Sequence, residues 1–308
     1  MQIVAVTGAA GLIGSAVTRQ LVARGARVVA IDDFSVGAWT GDSAAITWER
    51  VDVLEAASVL DRWSPDAVVH AAAHPGGKSL AEPAEDVRVN ALGSMRVFEW
   101  CARTHVPVVY TSSSVVYGDQ PPGSIPESAP LRPGTIYAVA KVACEQWLKI
   151  LHEGHDLPWT ILRLFSTYGA GHRPSGVQGI LNVMLAQLQS GTRVVVRGSL
   201  ERVRDLVYVD DAARAIVEAV YRPGSRGEVI NVGSGRGVSI RQMIEAIARV
   251  LGHDLTALDI VEEAGTVGDP FSNVADCGLA RAVLGFGPRF TLDEGLRALV
   301  AARRSLSA

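Results

Sequence analysis

A glycine-rich turn between the first apolar run and the first helical segment is the feature that most constrains the fold. Residues 7–14 read Thr-Gly-Ala-Ala-Gly-Leu-Ile-Gly, between a strand predicted at Ile3–Val6 and a helix predicted at Leu12–Arg24. Glycines allow a tight turn and the close approach of a phosphate, whose charge the free N–H groups of a helix N-terminus stabilise. The turn therefore predicts a dinucleotide site in a βαβ unit, although by itself it could be a structural turn in any α/β protein.

Short β-branched runs alternate with segments of helical period over the first half of the chain. Such alternation predicts a parallel sheet covered by helices on both faces. The predicted strands are Ile3–Val6, Arg27–Ile31, Ile46–Val51, Ala67–His70, Val106–Thr111 and Trp159–Leu162. The predicted helices are Leu12–Arg24, Leu54–Trp63, roughly Glu82–Thr104 and Ile136–His152. The proline-rich stretch Asp119–Gly134 is predicted to be an exposed loop. We therefore predict an α/β fold of the Rossmann type, with a doubly wound parallel sheet.

An acidic residue at the end of the second strand favours NAD as the dinucleotide. Asp32 lies about 20 residues beyond the glycines, where a carboxylate accepts hydrogen bonds from the adenosine ribose and repels a 2′-phosphate. No arginine follows directly to neutralise such a phosphate. The structural alternative for Asp32 is a cap on the following turn.

Further candidate cofactor residues follow the other strands. Asp52 is placed for the adenine amino group, the small residues Ala71–Ala73 allow a cofactor to lie against the backbone, and Asn90 either ties this loop down or lies on a polar helix face. The predicted cofactor residues are Gly8, Gly11, Leu12, Ile13, Asp32, Asp33, Asp52, Val53, Ala71, Ala72, Ala73, Asn90, Thr111, Tyr137, Lys141 and Leu164.

Beyond Leu164 the alternation loosens, which predicts a smaller lobe interleaved with the first. Its elements are a helix at Ile180–Ser190, a strand at Val194–Val196 and a helix at Ile240–Leu251. We predict an NAD-binding Rossmann domain over residues 1–165 with a return segment at about 205–232, and a substrate-binding lobe over 166–204 and 233–308.

The composition argues against several other function classes. The 308 residues carry 29 Lys plus Arg against 32 Asp plus Glu, so no basic surplus favours nucleic acid or an anionic membrane as a partner. The three cysteines stand outside any CxxC pattern, which argues against a disulfide framework or a zinc site, and no other metal is predicted. No apolar stretch approaches the roughly 20 residues of a membrane span, and the first residues lack a signal-peptide pattern. We therefore expect a cytoplasmic protein.

Tyr137 and Lys141 form the strongest chemical signal. Residues four apart share one face of a helix, so the lysine, together with an oxidised nicotinamide, is expected to lower the pKa of the phenol. Ser113, at the end of the fifth strand, is expected to hydrogen-bond the same substrate hydroxyl. A partly buried tyrosine beside a solvated lysine is the structural alternative for this spacing. The order of glycine turn, aspartate, serine cluster and tyrosine favours Ser113, Tyr137 and Lys141 as a catalytic group.

The motifs together resemble the extended short-chain dehydrogenase family, and within it the nucleotide-sugar epimerases and dehydratases. The resemblance covers nearly the whole chain. It rests on TGAAGLIG, IDD, DV, HAAA, Asn90, SSSVVYG, YAVAK, the Arg163–Gly169 segment, Arg204-Asp205 with VYVDD, and Asn231-Val232-Gly233.

The resemblance implies a two-lobed fold, a tightly retained NAD and a homodimer joined by helices of each subunit. It also implies that Tyr137 is the base, Lys141 its helper and Ser113 the partner of the substrate hydroxyl. Arg204 resembles the arginine that binds the substrate diphosphate, and an exposed ion pair with Asp205 is its structural alternative.

The stretch Ser113-Ser114-Val115 lacks the acid that dehydrating and decarboxylating family members carry there. The resemblance therefore implies an NAD-dependent nucleotide-sugar epimerase that works at C4 through a transient 4-keto intermediate. Two alternatives stay open. One is an NAD(P)-dependent reductase of a 4-keto nucleotide sugar or another carbonyl compound, and the other is a non-catalytic NAD-binding regulatory protein.

The predicted substrate site departs from the family pattern. Ser166 stands where the family has an asparagine, and Thr266 where UDP-galactose epimerases carry an arginine, so Arg173 becomes a candidate replacement. His74 and Lys78 are candidates for binding a carboxylate or phosphate, with solvated loop residues as the alternative. The expected substrate is a nucleoside diphosphate sugar. The residues predicted to bind it are His74, Lys78, Ser113, Ser114, Tyr137, Ser166, Arg173, Arg204 and Asp269.

Overall fold

The computed structural model describes residues 1–171, 179–265 and 268–307. The strands are β1 Ile3–Thr7, β2 Arg27–Asp32, β3 Ile46–Arg50, β4 Ala67–His70, β5 Val108–Ser113, β6 Ser124–Ile125, β7 Trp159–Leu164, β8 Ser166–Tyr168, β9 Arg193–Arg197, β10 Val203–Tyr208, β11 Val229–Val232, β12 Gly237–Ser239, β13 Asp259–Glu263 and β14 Ser272–Ala275.

Helices cover the sheets and connect most of the strands. They are α1 Leu12–Ala23, α2 Ala56–Trp63, α3 Pro83–Asp86, α4 Ser94–Thr104, α5 Ile136–His155, α6 Ile180–Ser190, α7 Val209–Tyr221, α8 Ile240–Leu251, α9 Gly278–Leu284 and α10 Leu292–Ser307. A π-helical segment, Val87–Gly93, joins α3 to α4 without a break. Within the described ranges, no helix combines the length and apolarity needed to cross a bilayer.

The larger sheet has seven parallel strands in the order β11-β7-β5-β4-β1-β2-β3. At its centre Thr7 of β1 pairs with Ile31 of β2 on one side and with His70 of β4 on the other. The order of strands along the chain reverses at this point, and in open parallel sheets the crevice at the carboxyl ends of such strands holds the ligand. The predicted doubly wound sheet is therefore present, and its topology places a crevice at the glycine turn.

Both faces of this sheet are buried, because successive residues of a strand point to opposite sides. On one side Val4 and Val6 of β1 pack in a cluster with Leu21 of α1, and all three are fully buried. On the other side Ala5 packs in a cluster with Leu60 of α2. The near-continuous apolar runs in the sequence follow from this two-sided burial.

The smaller lobe is built from segments that alternate along the chain with those of the larger sheet. Its main sheet has the order β12-β10-β14-β6, with β8 also paired to β10, and a separate pair joins β9 to β13. Between these segments α7 packs on α1, and β11 adds to the edge of the larger sheet beside β7. The residue division between the two lobes stays a prediction.

Two segments differ from the sequence-based expectation. The stretch Asp119–Gly134 is not loop throughout, because it contains β6, whose Ile125 is buried and pairs with Ala275 of β14. A two-residue strand at a sheet edge tolerates neighbouring prolines, which cannot supply interior ladder bonds. The helix expected over Glu82–Thr104 is continuous but changes to π-helical hydrogen bonding in its middle.

Candidate active site

Gly8 and Gly14 allow the backbone after β1 to approach its neighbours closely. Gly8 has a φ of +69°, and a Cβ at that position would lie 2.6 Å from the backbone nitrogen of Ala72. A Cβ on Gly14 would overlap the carbonyl oxygen of Gly8. Gly11 precedes α1 and makes no side-chain cap, which leaves the first N–H groups of the helix for an anion. The loop is therefore a cradle that side chains would fill, as a pyrophosphate of NAD requires.

A cleft of about 450 Å³ opens at this end of the larger sheet. Its volume lies within the roughly 300–1,000 Å³ typical of small-molecule sites. The predicted cofactor residues that line it are Gly8, Gly11, Leu12, Ile13, Asp32, Asp33, Asp52, Val53, Ala71, Ala72, Ala73, Thr111, Tyr137, Lys141 and Leu164. The structure thus brings all of them to one crevice, with the exception of Asn90.

Asn90 is buried behind the cleft and holds a loop in place. Its Oδ1 accepts a hydrogen bond from the backbone N–H of His74 at 2.8 Å, and its Nδ2 donates to the carbonyl oxygen of the same residue at 3.1 Å. The loop support that the sequence left open for Asn90 is therefore present, and its contact with the cofactor stays a prediction.

Asp32 is held at the end of β2 by two backbone donors. Its Oδ2 accepts from the N–H of Ala10 at 2.9 Å and its Oδ1 from the N–H of Phe34 at 2.7 Å. Burial raises the pKa of this carboxyl, and the two backbone hydrogen bonds oppose that effect. The expected turn cap is thus present, and the carboxylate also lines the cleft. Arg50, to which the sequence assigns no role, lies on the adjacent strand β3 and is the register partner of Asp32.

Asp52 lines the cleft and also makes two structural hydrogen bonds. One carboxylate oxygen caps the turn that follows it, accepting from the N–H of Leu54 at 2.9 Å. The other oxygen accepts from Nη1 of Arg88 at 2.8 Å. Arg88 also pairs with Glu85, which lines the same cleft. The arginine lies 36 residues from Asp52 in the chain, so no local pattern could have paired them.

Tyr137 and Lys141 meet the cleft on the same face of α5. The Lys141 Nζ lies 5.5 Å from the ring centroid of Tyr137 and 4.7 Å from that of Tyr110. Across the cleft, a Cβ on Gly76 would lie 3.2 Å from the Tyr137 ring, so this glycine leaves room for the phenol. Ser113 lines the cleft at the end of β5. The three predicted catalytic residues therefore surround one space.

The protein by itself does not lower the pKa of the phenol. Burial, followed by the charges of Asp86 and Cys144, raises the pKa of Tyr137. Burial also lowers the pKa of Lys141 to about 8. The lysine alone therefore does not produce the expected activation, and the positive charge of an oxidised nicotinamide is needed as well.

His70 supports the cleft from behind and was not assigned a role from the sequence. Its Nδ1 lies 2.7 Å from Oγ1 of Thr7, and its Nε2 lies 2.8 Å from Oγ of Ser94. Burial lowers the pKa of His70 to about 3, so the imidazole stays neutral. The residue thereby ties the end of β1 to α4.

Three of the predicted substrate residues besides Ser113 and Tyr137 line the cleft, namely His74, Ser114 and Ser166. The buried Nε2 of His74 lies 3.4 Å from a carboxylate oxygen of Glu82. Ser114 Oγ accepts a hydrogen bond from Nδ2 of Asn273 at 3.0 Å. With these contacts, His74 and Ser114 form part of the cleft wall.

The structure does not support a place in the cleft wall for the substrate candidate Lys78. Lys78 is exposed and does not contribute to the cleft wall. It is therefore one of the solvated loop residues that the sequence left open as an alternative. Arg173 lies outside the described residues.

Arg204 and Asp269 meet in the smaller lobe. Nη2 of Arg204 lies 2.6 Å from Oδ1 of Asp269, and Arg202 pairs with the other carboxylate oxygen. The alternative of an exposed pair between Arg204 and Asp205 is wrong. Asp205 is instead buried and accepts hydrogen bonds from the backbone N–H groups of Ser234, Gly235 and Ala275.

A second cavity of about 590 Å³ has Arg202 and Asp269, but not Arg204, in its wall. It is lined by Gly118, Asp119, Arg132, Gly134, Arg202, Gly268, Asp269, Pro270 and Phe271. Two chain segments connect it to the main cleft. One runs from Ser113 to Gly118 through a short 3-10 turn, and the other from Gly134 into the start of α5. Residues that line the two cavities are therefore only a few positions apart along these two segments.

Comparison with known proteins places these features in a family. The family described as "NAD dependent epimerase/dehydratase family" matches residues 4–233. A UDP-glucose 4-epimerase of Mycolicibacterium smegmatis is 33% identical over 302 residues, covering 94% of this chain and 95% of that protein.

Two solved structures extend the likeness to the whole fold. The UDP-glucose 4-epimerase of Thermotoga maritima, solved with UDP-glucose, has a TM-score of 0.93 at 28% identity and covers 100% of both chains. The UDP-glucose 4-epimerase of Thermus thermophilus, solved with NAD, has a TM-score of 0.90 at 30% identity, covering 98% of this chain and 99% of that one. The predicted fold class and the prediction of an NAD-dependent enzyme of the extended short-chain dehydrogenase type are confirmed. This chain belongs to the NAD dependent epimerase/dehydratase family.

Proposed function

We propose that the protein is an NAD-dependent epimerase that inverts C4 of a nucleoside diphosphate sugar through a transient 4-keto intermediate. The observation that carries this proposal is the shared cleft: the glycine cradle after β1 and the trio Ser113, Tyr137 and Lys141 line one crevice. A cofactor held in the cradle and a sugar hydroxyl held by the trio would then be neighbours.

Each residue of the trio has a defined task in this proposal. Tyr137 takes the proton of the C4 hydroxyl and later returns it, and Ser113 orients that hydroxyl by a hydrogen bond. Lys141 stays charged beside the phenol and stabilises its ionised form. Bound NAD would supply the hydride chemistry, removal from C4 and return to the opposite face. Because positioning and one matched acid and base suffice, no further acid is needed between Ser113 and Tyr117.

The second cavity is the proposed place of the nucleoside diphosphate. Two guanidinium groups, Arg202 and Arg204, share the single carboxylate of Asp269, so one positive charge of the group remains uncompensated. Arginine is suited to phosphate recognition because its planar fork donates several hydrogen bonds. Arg202 thereby supports diphosphate binding in a chain that lacks the usual arginine at position 266, which lies outside the described residues.

The serine cluster at Ser113 and Ser114 favours epimerisation over dehydration of the sugar. Ser113, Ser114 and Val115 line the cleft at the point where dehydratases need an acid. Glu85 also lines the cleft, but both of its carboxylate oxygens are bound by Arg88. A carboxylate in a bidentate pair with arginine is a poor proton donor.

The test is to incubate the purified protein with UDP-glucose and UDP-galactose, and with other nucleotide sugars, in deuterated water without added reductant. We expect the C4 epimer to form with its C4 hydrogen retained, because the hydride stays on the cofactor and never exchanges with solvent. Proton NMR distinguishes the two epimers and detects any deuterium at C4. Deuterium at C4 would contradict the mechanism, and turnover that requires added NADPH would establish the reductase instead.

We also propose that the protein is a cytoplasmic homodimer. Val87 and Leu92, in the segment between α3 and α4, are 53% and 46% exposed, and Val139 and Ile150 on α5 are 53% and 61% exposed. Apolar side chains on adjacent helices support an interface with a second copy of the chain. Light scattering after size-exclusion chromatography tests this, with a monomeric mass as the contrary result.

A further inference from the structure

Asp86 places a carboxyl group in the protein interior at the end of α3, where this helix packs against α5. The residue is fully buried. In the described part of the chain, neither of its carboxylate oxygens has a hydrogen-bond partner. A buried carboxyl without hydrogen bonds is strongly destabilising, unless an opposite charge close by compensates it. The arrangement therefore calls for a nearby cation.

Lys141 is a buried cation on α5, the helix against which α3 packs. It is 2% exposed, and its Nζ donates to the carbonyl oxygen of Thr111 at 2.9 Å. Burial is the largest influence on the pKa of Lys141 and lowers it, while Asp86 acts in the opposite direction. For Tyr137, burial raises the pKa and Asp86 raises it further. Asp86 thus favours the protonated form of both groups.

Other titratable groups surround the tyrosine and lysine, and the cysteine and the glutamate among them already have hydrogen-bond partners. Cys144 donates to the carbonyl oxygen of Asn90, and Glu145 is held by Arg163 and Ser112. Tyr110 and His70 complete the set on β5 and β4, and His70 is neutral. Among these groups, Asp86 is the carboxylate whose charge no described hydrogen bond neutralises.

We propose that Asp86 is a positioning residue that sets the proton state of the catalytic pair: its buried carboxylate holds the Lys141 ammonium charged and keeps the Tyr137 phenol protonated until a cationic cofactor enters. Asp86 touches neither substrate nor cofactor in this proposal and acts through the two residues of α5. The consequence is a tyrosine that ionises in the loaded enzyme only.

The experiment compares the NAD-loaded parent protein with Asp86→Asn. The ionisation of Tyr137 is followed through tyrosinate ultraviolet absorbance as pH is raised, and the signal that is missing from the same protein with Tyr137→Phe is assigned to this residue. Without the carboxylate, both groups of the pair hold their protons less tightly. We expect the titration to move about one pH unit lower, a roughly tenfold larger proton dissociation constant.

The absorbance titration does not depend on the proposed function, but a second readout, the pH profile of kcat, does. Both limbs of the bell-shaped profile of kcat against pH should move to lower pH in Asp86→Asn, because the acid limb reports Tyr137 and the alkaline limb Lys141. Inactivity of the parent on all nucleotide sugars would refute the epimerase but leave the absorbance titration to decide the role of Asp86.

Three further variants make the outcome decisive. Asp86→Leu removes the charge without burying an unsatisfied amide, so it must shift the titration in the same direction even where Asp86→Asn fails to fold. Asp86→Glu keeps the charge and should restore the parent titration. Glu153→Gln neutralises an exposed carboxylate on α5, the helix of Tyr137 and Lys141, and should leave both readouts unchanged. Titrations that coincide for parent, Asp86→Asn and Asp86→Leu would overturn the proposal.

Discussion

The Nζ of Lys141, on α5, donates a hydrogen bond of 2.9 Å to the carbonyl oxygen of Thr111, near the carboxyl end of β5. This bond fixes the ammonium group at the wall of the cleft and brings the helix to the strand that ends in Ser113. This hydrogen bond therefore helps to set the relative placement of Lys141 and Ser113.

Tyr137→Phe tests the proposed acid and base directly. Loss of the phenol should lower kcat by about 10²–10⁴-fold, the range attributed to general acid–base catalysis. NAD should remain bound, because the phosphate cradle lies after β1 and the phenyl ring still fills the space beside Gly76. Steady-state kinetics together with the cofactor content of the purified variant provide the measurement. Full activity in the variant would exclude Tyr137 as the base.

The burial of Lys141 predicts that the free energy of unfolding depends on pH. Burial lowers the pKa of its ammonium from 10.5 to about 8. Between these two values the unfolded chain binds a proton that the folded chain does not, so the free energy of unfolding rises with pH in that window. Against Lys141→Met, the cofactor-free parent should gain about 2 kcal/mol between about pH 7 and about pH 9.5. Urea unfolding at both values measures the gain, and a constant gap between the two proteins would contradict it.

The register of Asp32 with Arg50 predicts a change of cofactor preference. Asp32→Asn removes the carboxylate that repels a 2′-phosphate, and the guanidinium on the adjacent strand then offers an opposite charge. The ratio of the Kd for NADP to that for NAD should fall at least about tenfold, a modest part of the Coulomb energy of one close charge pair. Titration calorimetry of the cofactor-free variants measures both constants. The change should disappear in the double variant Asp32→Asn with Arg50→Ala, and an unchanged ratio in the single variant would refute the idea.

A buried ion pair holds α5 on the larger sheet. Nη2 of Arg163 lies 2.7 Å from Oε2 of Glu145, and the two side chains are 4% and 0% exposed. Glu145→Ala should lower the free energy of unfolding by about 3–5 kcal/mol, because it leaves a buried guanidinium without its partner. Chemical unfolding tests this against Glu99→Ala, which breaks an exposed pair with Arg96. The control should cost less than about 1 kcal/mol, and equal losses in the two variants would contradict the prediction.

The parts of the site that lie within one strand, turn and helix could be predicted from the sequence. The glycine spacing, Asp32 at a strand end and Tyr137 one turn before Lys141 are local patterns, because backbone geometry alone brings such residues together. The cleft contains all of them. The helix over Ile240–Leu251 was predicted with its observed bounds for the same reason, since a strong apolar periodicity and a capping box mark it.

The parts that join distant segments required the tertiary structure. Asn90 turned out to hold the backbone of His74, and Arg204 to pair with Asp269, 65 residues away, instead of its neighbour Asp205. Arg50 is the strand neighbour of Asp32 only because β2 and β3 pair in this register. Periodicity cannot predict such pairs, because the sequence does not indicate which distant group will contact a given polar residue in the folded protein.

The sequence by itself determined the family, the parallel sheet, the glycine cradle and the three residues proposed as the catalytic trio, since these follow from the spacing of residues along short stretches of backbone. Only the tertiary structure decided the electrostatic state of that trio. Burial raises the pKa of the Tyr137 phenol and lowers the pKa of the Lys141 ammonium, and the charge of Asp86 raises the pKa of both groups. Desolvation and long-range charge depend on which helices pack together, and packing is a property of the whole folded chain.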